Sequence, residues 1–539
     1  MHGFTLTVAF VLCSVGGPGS PGPSPDKTSS IKLQPGELWW GGAVSEGHKM
    51  PFGLKPYSID LYGSSYGNQC APLLVSTKGR FVWSEKPYRF RFRDGNLIIH
   101  APRGAVAVEI AGTTLADAYR SAMKKFFPPS GKTPDPLLIT RPQFNTWIEL
   151  VYNQNQNDIL KYARAIVDNG FPAGVLMIDA NWQRYYGNFE FKAERFPDPK
   201  GMVEELHRLG FKVMLWVCPF VSPDSEEYRK LAEQRLFHMQ RKPGAGSGWK
   251  EATKPAIIEW WDGYSVVLDF SNPAAVAWFK AQLSNLQSKY GIDGFKFDAG
   301  DSDYYPDSAI AYGQILPNEH TELFGKIGLD YPLNEFRAMW KMGGQALVER
   351  LRDKNHTWED LRKLIPHTFM ESLMGYAFSC PDLIGGGDYV SFLNLSSYDR
   401  ELVVRSAQCQ ALMPMMQFSV APWRVLDTAG LEALKQCVAI RQRFVPRIME
   451  LAEKAARTGE PIVTPIEYHF PGRGYAGISD EFMLGTNILV TPVVTQGQTR
   501  RTVILPEGRW KADDGTVYEG GTSITIEAPL ARLPYFEKL

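Results

Sequence analysis

From about residue 140 to residue 440, the sequence alternates short apolar runs with helical segments. The runs "GVLMIDANW" (174–182), "GFKVMLWVCPF" (210–220) and "GIDGFKFDAGD" (291–301) show little polar alternation, as in strands that are buried on both faces. The segments "MVEELHRLG" (202–210) and "PAAVAWFKAQLSNLQSKYG" (273–291) have the periodicity of helices. Strands that alternate with helices predict a parallel sheet covered on both faces, and the length of this span suits a (β/α)8 barrel.

Strand-like text flanks this span on both sides. Residues 37–115 contain period-two stretches such as "FVWSEKPYRFRFRDGNLIIHA", in which Asp-Gly marks a tight turn. After about residue 460, "FMLGTNILVTPVV" and "RRTVILPEGRW" are again strand-like. The predicted fold class is α/β, in four segments: 1–30 (signal peptide and linker), 31–135 (short N-terminal β-sandwich region), 136–455 ((β/α)8 barrel) and 456–539 (C-terminal β-sandwich).

Composition argues against several classes of partner. The chain has 539 residues and no formal net charge at pH 7, so nothing favours nucleic acid or an anionic membrane surface. Its six cysteines show no CxxC spacing, which argues against a zinc or thioredoxin-like site. We predict no metal and no cofactor. One or two disulfides remain an alternative, and the sequence indicates no oligomeric state.

The N-terminal segment "MHGFTLTVAFVLCSVGGPGSPGPSP" resembles a signal peptide. Its apolar run is shorter than a membrane-spanning helix, and small residues and prolines follow it, although no lysine or arginine precedes it. We expect a secreted protein or one of the secretory pathway (periplasmic, extracellular or lumenal) without a spanning helix; a disordered leader is the alternative. Asn394-Leu-Ser is then a glycosylation acceptor, whereas Asn355-His-Thr lies in a segment to which we assign chemistry below.

Two charged side chains interrupt the apolar run "GFKFDAGD". Residues two apart on a strand point to the same side, so Lys296 and Asp298 face one way and the flanking phenylalanines the other. In a barrel, chemistry lies at the carboxyl ends of the strands, and "IDAN" delivers Asp179 to that face. A neighbouring cation keeps a partly desolvated carboxylate ionised, as a nucleophile requires. A structural Lys–Asp pair inside the barrel, and a helix cap at Asp179, are the alternatives.

Several motifs, in the same order along the chain, resemble glycoside hydrolase family 31, which contains α-glucosidases and α-xylosidases. The stretch from "FPAGVLMIDANW" through "FPDPKGMVEELHRLGFKVMLWVCPFV" resembles a series of family motifs: a strand that ends in Asp, the motif "FPDP", a helix, and a strand that ends in Pro. The segment "DFSNPAAVAWF" resembles the family's "DFTNP" segment. "FKFDAGD" resembles its nucleophile strand, "PDLIGGGDY" (381–389) its "ADIGGF" and "EFMLGTNILVTPVV" its C-terminal sandwich. The resemblance covers the chain from about residue 140 and implies a small carbohydrate substrate.

The resemblance assigns two catalytic carboxyl groups. Asp298 ends the nucleophile strand, and the family's acid loop "GDN…WDDLR" matches "RDKNHTWEDLR" (352–362) in spacing, which places the acid at Asp353. A retaining glycosidase needs such a pair roughly 5–5.5 Å apart, one group ionised and the other protonated. Asp382 and Asp388 are the next candidates for the acid. Without the family spacing, a solvated charged loop would be the preferred interpretation of this segment.

Six residues are predicted to bind the sugar. They are Asp179, Trp182, Trp216, Lys296, Arg337 and Asp382. The two tryptophans lie beside strand ends, where indole rings can stack on the apolar face of a sugar. Arg337 stands at the distance before the acid at which members of the family carry an arginine that contacts the sugar, and Asp382 belongs to the "PDLIGGGDY" motif.

Departures from the family text bear on the substrate. Family α-glucosidases carry Arg-Asn-His where this chain has Gln417-Phe418-Ser419, and the family's "WSGD" becomes "RLRD" (350–353). In the acid loop, Arg352 and Lys354 replace Gly and Asn. A pocket that loses a polar group generally rejects the ligand that used it. The first two departures resemble a divergent branch of the family that includes bacterial α-galactosidases, so we expect an α-galactoside as substrate.

The leading hypothesis is a retaining, exo-acting α-glycosidase that removes terminal α-linked galactose by double displacement. The alternatives within the same class are an α-glucosidase, an α-xylosidase and a sulfoquinovosidase. An alternative of another class is a carbohydrate-binding protein that has lost turnover, although the presence of both Asp298 and Asp353 argues against it.

Overall fold

The computed structural model describes residues 28–241, 248–306, 308–393, 395 and 397–539 of the chain. The apolar run of the predicted signal peptide and the Asn394 acceptor lie outside the described residues. Within the described part, no helix combines the length and the apolar composition needed to cross a membrane. The cysteines of that part are all buried and unpaired: Cys70, Cys218, Cys380, Cys409 and Cys437.

The N-terminal region is a sandwich of two sheets. Its elements are β1 (Thr28–Lys32), β2 (Trp39–Ala43), a 3-10 helix (Val44–Lys49), β3 (Tyr57–Asp60), β4 (Gln69–Ser76), β5 (Arg80–Ser84), β6 (Arg89–Arg93), β7 (Asn96–His100), β8 (Val106–Ile110) and α1 (Leu115–Phe126). One sheet has the order β1-β7-β6-β3, and the other contains β2, β4, β5 and β8. The predicted Asp94-Gly95 turn joins β6 to β7 with φ of 50° and 70°, as a type I′ turn requires.

The central region contains the predicted barrel. Its elements are α2 (Leu137–Thr140), β9 (Gln143–Asn145), α3 (Trp147–Leu150), α4 (Gln156–Asp168), β10 (Val175–Ile178), α5 (Pro199–Arg208), β11 (Lys212–Val217), β12 (Phe220–Val221), α6 (Glu226–Glu233), β13 (Met239–Gln240), β14 (Ile257–Trp260), β15 (Gly263–Val267), α7 (Pro273–Tyr290), β16 (Gly294–Phe297), a 3-10 helix (Ser302–Tyr304), β17 (Ala309–Ile310), α8 (Pro317–Gly328), β18 (Asn334–Phe336), β19 (Met339–Trp340), β20 (Glu349–Arg350), α9 (Trp358–Leu361), α10 (Leu364–Leu373), β21 (Ser379–Cys380), α11 (Val390–Leu393), α12 (Arg400–Ala411), β22 (Gln417–Phe418), α13 (Pro422–Val425) and α14 (Thr428–Thr458).

Eight parallel strands of this region form one sheet, in the order β21-β20-β18-β16-β11-β10-β9-β22. The phenylalanines of β16 face outward, and Phe297 stacks on Phe336 of β18 with ring centroids 4.6 Å apart. Since alternate side chains of a strand point to opposite faces, this packing turns Lys296 into the barrel.

The junction between β9 and β22 is held by one buried arginine of α14. The guanidinium of Arg441 donates to four backbone carbonyls that precede these two strands: those of Ile139 (2.7 Å), Ala411 (3.2 Å), Met413 (2.8 Å) and Pro414 (2.7 Å). The helix that ends the barrel region thus binds the backbone at the point where the sheet returns to its first strand.

The C-terminal region is a second sandwich. Its elements are β23 (Val463–Thr464), α15 (Ile466–His469), a 3-10 helix (Tyr475–Gly477), β24 (Phe482–Leu484), β25 (Ile488–Val490), β26 (Arg500–Leu505), β27 (Arg509–Ala512), β28 (Val517–Glu519), β29 (Thr522–Glu527) and β30 (Tyr535–Lys538). A sheet of order β23-β24-β25-β30-β27-β28 shares its core with the β26–β29 pair. The predicted fold class is confirmed. The segment boundaries remain a prediction; β1 begins at Thr28, and α14 runs across position 455.

Candidate active site

The predicted site residues gather at the carboxyl ends of the barrel strands. Asp179 follows β10 directly, and Asp298 follows β16 in the same way. Arg337 follows β18, and Asp353 comes three residues after the end of β20. A cavity of about 470 Å³, here called the inner cavity, opens at this face and is lined by six of the eight predicted residues: Asp179, Trp216, Lys296, Asp298, Arg337 and Asp353.

Lys296 connects two carboxylates at the floor of the inner cavity. Its Nζ donates to Oδ2 of Asp179 at 2.7 Å and lies 4.0 Å from Oδ2 of Asp298. Burial alone would lower the pKa of Lys296, but the neighbouring carboxylates, above all Asp179, raise it above its ordinary value. Lys296 is therefore a fixed cation, as its spacing from Asp298 in the sequence predicts.

Asp298 is the most strongly compensated carboxylate of the cavity. The Nε of Arg337 donates to its Oδ1 at 2.8 Å, and the indole Nε1 of Trp216 donates to its Oδ2 at 3.0 Å. Burial alone would raise the pKa of Asp298, but the charges of Arg337 and Lys296 hold it far below the ordinary range. Asp298 is thus ionised at any physiological pH, which is the state that a nucleophile needs.

Arg337 is held in turn by Asp301, which lies in the loop after β16, the strand that leads to Asp298. Its Nη1 and Nη2 bind the two oxygens of Asp301 at 2.9 and 2.6 Å, and Nη1 also donates to the backbone oxygen of Gly67 at 2.7 Å. The exposed ring of Trp261 covers the guanidinium at 5.1 Å. Asp301, the last residue of "FKFDAGD", therefore positions the arginine that binds Asp298.

The sequence reasoning did not select Arg350, which contacts more acidic groups of the site than Lys296 or Arg337. Its Nη1 binds Oδ1 of Asp353 at 2.5 Å and Oδ1 of Asp382 at 3.4 Å. Its Nη2 lies 3.9 Å from Asp298, and its Nε lies 3.3 Å from the buried Glu335. The sequence does mark this position, because Arg350 is the first residue of "RLRD" and replaces the Trp of the family's "WSGD".

Asp353 and Asp382 form a closely spaced carboxyl pair. A Cβ placed on Gly387 would lie 2.8 Å from Oδ1 of Asp353 and 2.6 Å from Oδ1 of Asp382, so only glycine fits between them. Burial and the charge of Asp353 raise the pKa of Asp382 to about 7. Partial desolvation favours the neutral form of Asp353, whose side chain is 41% exposed, but the cation of Arg350 holds its pKa below the ordinary value. The pair therefore gains its first proton near neutral pH, and Asp382 lies behind Asp353 rather than in the cavity wall.

Trp182 does not reach the inner cavity. Its side chain is completely buried, its Nε1 donates to the backbone oxygen of Trp216 at 2.8 Å, and its ring packs on Phe191 at 4.7 Å. The predicted contact of Trp182 with a sugar is therefore not supported. Trp182 instead supports the backbone of the strand that carries Trp216.

Five aromatic residues that the sequence reasoning did not select line the same cavity: Trp147, Tyr152, Trp261, Tyr304 and Tyr389. Trp147 begins α3 and Tyr152 follows that helix, whereas the other three lie elsewhere in the chain: Trp261 between β14 and β15, Tyr304 at the end of a 3-10 helix, and Tyr389 just before α11. No single local spacing identifies the set. Aromatic rings with exposed faces are suited to the apolar faces of sugar rings.

The segment that replaces the family's Arg-Asn-His faces away from the cavity. Gln417 donates to Oε2 of the buried Glu335 at 2.6 Å, and Phe418 stacks on Phe144 in the barrel core. The hydroxyl of Ser419 accepts from the backbone nitrogen of Ile148 at 2.7 Å. None of these three side chains lines the inner cavity, in agreement with the predicted loss of a polar grip.

One His–Asp–His group of the described residues has donor atoms close enough to suit a metal: His238, Asp269 and His320. Most of these donors already bind the protein. The nitrogens of His320 contact Tyr305 and the backbone of residues 268 and 270, and the oxygens of Asp269 accept from Ser271 and Tyr312. This group joins the β14–β15 insertion to α8 and lies outside the inner cavity.

Comparison with known proteins agrees with the architecture and the motifs. The family model described as "Glycosyl hydrolases family 31 TIM-barrel domain" matches residues 136–451, and "Glycosyl hydrolase family 31 C-terminal domain" matches residues 459–538. The chain belongs to glycoside hydrolase family 31. Membership of this family supports glycosidase activity.

Relatives within family 31 differ in the sugars that their names state. The myogenesis-regulating glycosidase of Mus musculus is 29% identical over 543 residues, which cover 92% of this chain and 74% of the mouse protein. An α-xylosidase of Emericella nidulans is 25% identical, and the match covers 94% of this chain and 66% of that protein. The sulfoquinovosidase of Escherichia coli is 23% identical, and the match covers 66% of this chain and 53% of that protein.

Solved family 31 structures share the fold. A Flavobacterium johnsoniae dextranase complexed with glucose has a TM-score of 0.83 at 19% identity, covering 95% of this chain and 66% of that chain. An α-xylosidase from a soil metagenome, complexed with xylose, has a TM-score of 0.80 at 21% identity, covering 95% and 79%.

The contrast between Trp216 and Trp182 gives a first prediction. Trp216→Phe keeps an aromatic ring but removes the hydrogen bond to Asp298. A hydrogen bond to a charged group is worth about 1.5–3 kcal/mol, so we expect kcat/KM for an aryl glycoside to fall at least ~10-fold. The matched control is Trp182→Phe, which removes a hydrogen bond behind the wall. It should lower the free energy of unfolding while changing kcat/KM less. Equal losses of kcat/KM would contradict this placement.

Proposed function

We propose that this chain is a retaining, exo-acting α-glycosidase whose preferred substrate carries a terminal α-linked galactose. The observation that carries the proposal is the division between the carboxyl groups of the inner cavity. Asp298 is held ionised by Arg337 and Lys296, whereas the pair Asp353–Asp382 holds a proton near neutral pH. A glycosidase of this type requires one carboxyl group in each state.

In the proposed reaction, a carboxylate oxygen of Asp298 attacks the anomeric carbon and forms a covalent glycosyl-enzyme. Asp353 donates the proton that it shares with Asp382 to the departing glycosidic oxygen, so the leaving group departs as a neutral alcohol. A water molecule then enters, gives a proton to Asp353 and attacks the anomeric carbon, which releases Asp298. Two inversions at that carbon give net retention of configuration.

Several groups around the reacting carbon support this sequence. Arg337 and Trp216 hold the two oxygens of Asp298, which fixes the direction of attack. Arg350 contacts Asp353 and Asp298 together, so one cation spans both carboxyl groups. The side chain of Asp353 is 41% exposed, which leaves it open to the leaving group and to water.

The preference for galactose rests on the polar groups of the floor. Galactose and glucose differ only at O4, which is axial in one and equatorial in the other. The ion pair of Lys296 with Asp179 offers both donors and acceptors to the far side of a sugar ring, and the side chains at 417–419 face elsewhere. A mispaired hydroxyl leaves a buried polar group unsatisfied, at a cost of about 1–3 kcal/mol.

Covalent trapping tests the mechanism. With a 5-fluoro glycosyl fluoride, the intact mass should rise by one sugar, and digestion should place the label on the peptide that contains Asp298. Asp298→Asn should abolish the labelling and lower turnover by several orders of magnitude while the fold persists, because a single carboxylate at the barrel mouth does not hold the barrel together. A label on another peptide would contradict the assignment of the nucleophile.

The carboxyl pair predicts a pH dependence. Cleavage of a disaccharide requires the proton of the pair, so kcat/KM should be retained below the raised pKa of Asp382, about 7, and fall as the pH rises through it. Asp382→Asn removes the charge that helps Asp353 to hold a proton, so the alkaline limb should move to lower pH. With a glycosyl fluoride, which needs no acid, the mutation should not shift the pH profile of kcat/KM. An unmoved limb with the disaccharide would contradict a shared proton.

A panel of nitrophenyl α-glycosides tests the choice of sugar. We expect kcat/KM for the galactoside to exceed that for the glucoside at least ten-fold, which corresponds to about 1.4 kcal/mol of transition-state discrimination. Lys296→Met should reduce this ratio, because it removes the cation of the floor. A preference for the glucoside, the xyloside or a sulfoquinovoside would overturn the galactoside. Absence of turnover with the whole panel would favour a binding protein.

A further inference from the structure

A second cavity of about 570 Å³, here called the outer cavity, adjoins the inner one. Five residues line both cavities and form what we call the neck: Gly67, Tyr304, Arg352, Asp353 and Asp388. The predicted acid, Asp353, therefore lies between two spaces of similar volume. In a glycosidase the acid contacts the oxygen that joins the sugar to its leaving group, so a sugar in the inner cavity directs its leaving group toward the neck.

The N-terminal region builds one wall of the outer cavity. Glu46, His48 and Tyr66 line it, and they come from the 3-10 helix Val44–Lys49 and the loop before β4. That loop is fixed to the barrel, because the hydroxyl of Ser64 donates to Oδ1 of Asp303 at 2.6 Å and the backbone nitrogen of Ser65 donates to its Oδ2 at 2.8 Å. The wall is part of the folded site.

The lining of the outer cavity is polar and contains more acidic than basic groups. Its six acidic residues are Glu46, Asp301, Asp303, Asp353, Asp360 and Asp388, and its lysines and arginines are Arg352, Lys354 and Lys363. No leucine, isoleucine, valine, methionine, phenylalanine or tryptophan is among the described residues that line it. Such a surface suits neither a lipid nor an anionic group as leaving group.

Two oppositely charged side chains of the neck lack ion-pair partners. Among the described residues, the guanidinium of Arg352 forms no ion pair and no hydrogen bond, although Lys363 is paired with Asp360 at 2.6 Å. The carboxylate of Asp388 accepts one backbone N–H, from Val390 at 3.0 Å, and has no ion pair with any described residue. The guanidinium of Arg352 can therefore donate, and the carboxylate of Asp388 can accept, hydrogen bonds at the neck. The hydroxyl groups of a neutral sugar both donate and accept, so they match this pair.

We propose that Arg352 and Asp388 select the leaving group at the neck, and that the group they select is a neutral sugar residue. The inference rests on the proposed glycosidase function, in which the leaving group departs past Asp353 into the outer cavity, and adds the residues that choose that group. Arg352 is the residue that replaces Gly in the family's acid loop, and its guanidinium lies against Gly67, where an added Cβ would be in ordinary van der Waals contact with Nη1 at 3.4 Å.

The test compares two substrates that share a sugar and differ in leaving group. Fluoride is too small to occupy the outer cavity, whereas the reducing-end sugar of an α-galactosyl disaccharide would fill it. We expect Arg352→Gln to lower kcat/KM for the disaccharide at least ten-fold more than for α-galactosyl fluoride, and Asp388→Asn to act in the same direction. Arg362→Gln is the matched control, because Arg362 is exposed, carries the same charge and lines neither cavity.

The possible results of this experiment test the neck, the neutral leaving group and the glycosidase function separately. Equal losses with the two substrates would overturn the role of the neck, and so would a similar selective loss in Arg362→Gln. Faster cleavage of a disaccharide that ends in a uronate than of its neutral counterpart would overturn the neutral leaving group. Failure of the wild-type protein to hydrolyse any glycosyl fluoride, with galactose, glucose or xylose, would instead contradict the proposed function, and this inference with it.

Discussion

A carboxylate removed from water is stable only beside a cation or several hydrogen-bond donors, and this constraint organises the inner cavity. Asp298 is bound by Arg337 and lies near Lys296 and Arg350. Each of these cations also contacts a further acid, so the groups form a network rather than separate pairs. Several of these contacts join different barrel strands or the loops after them, namely those of Lys296 with Asp179, Arg337 with Asp298 and Arg350 with Asp382. They fix the relative positions of the strands that carry the charges.

Much of the fold and part of this network could be predicted from the sequence, because they follow from short-range patterns. Buried parallel strands are apolar on both faces, so their runs stand out from the intervening helices. The period of two places Lys296 and Asp298 on one face without knowledge of any partner. The spacing of the acid loop likewise brings Asp353 to the same cavity.

The rest depends on contacts between distant segments, which local patterns do not encode. Trp182 and Trp216 both lie beside strand ends, yet one indole enters the cavity and the other supports its backbone. The position of the Trp182 ring is set by its packing on Phe191, not by the residues next to it in the sequence. Trp261 lies in the turn between β14 and β15, and only the fold brings it over Arg337. Arg350 was visible only as a departure from family text, because its several acidic partners come from different strands.

The number of charges explains how one cavity can hold both an ionised nucleophile and a protonated acid. Six carboxyl groups surround three cations, Lys296, Arg337 and Arg350; the acids are Asp179, Asp298, Asp301, Glu335, Asp353 and Asp382. Five of these carboxyl groups, all except the 41% exposed Asp353, are buried. Three cations cannot compensate five buried negative charges, so protons remain on the groups with the weakest compensation. Burial raises the pKa of Glu335 and of Asp382, while the strongly compensated Asp298 stays ionised. The excess of acid over base thus supplies the proton that the reaction needs, and the uneven distribution of cations decides which carboxyl group is left to attack.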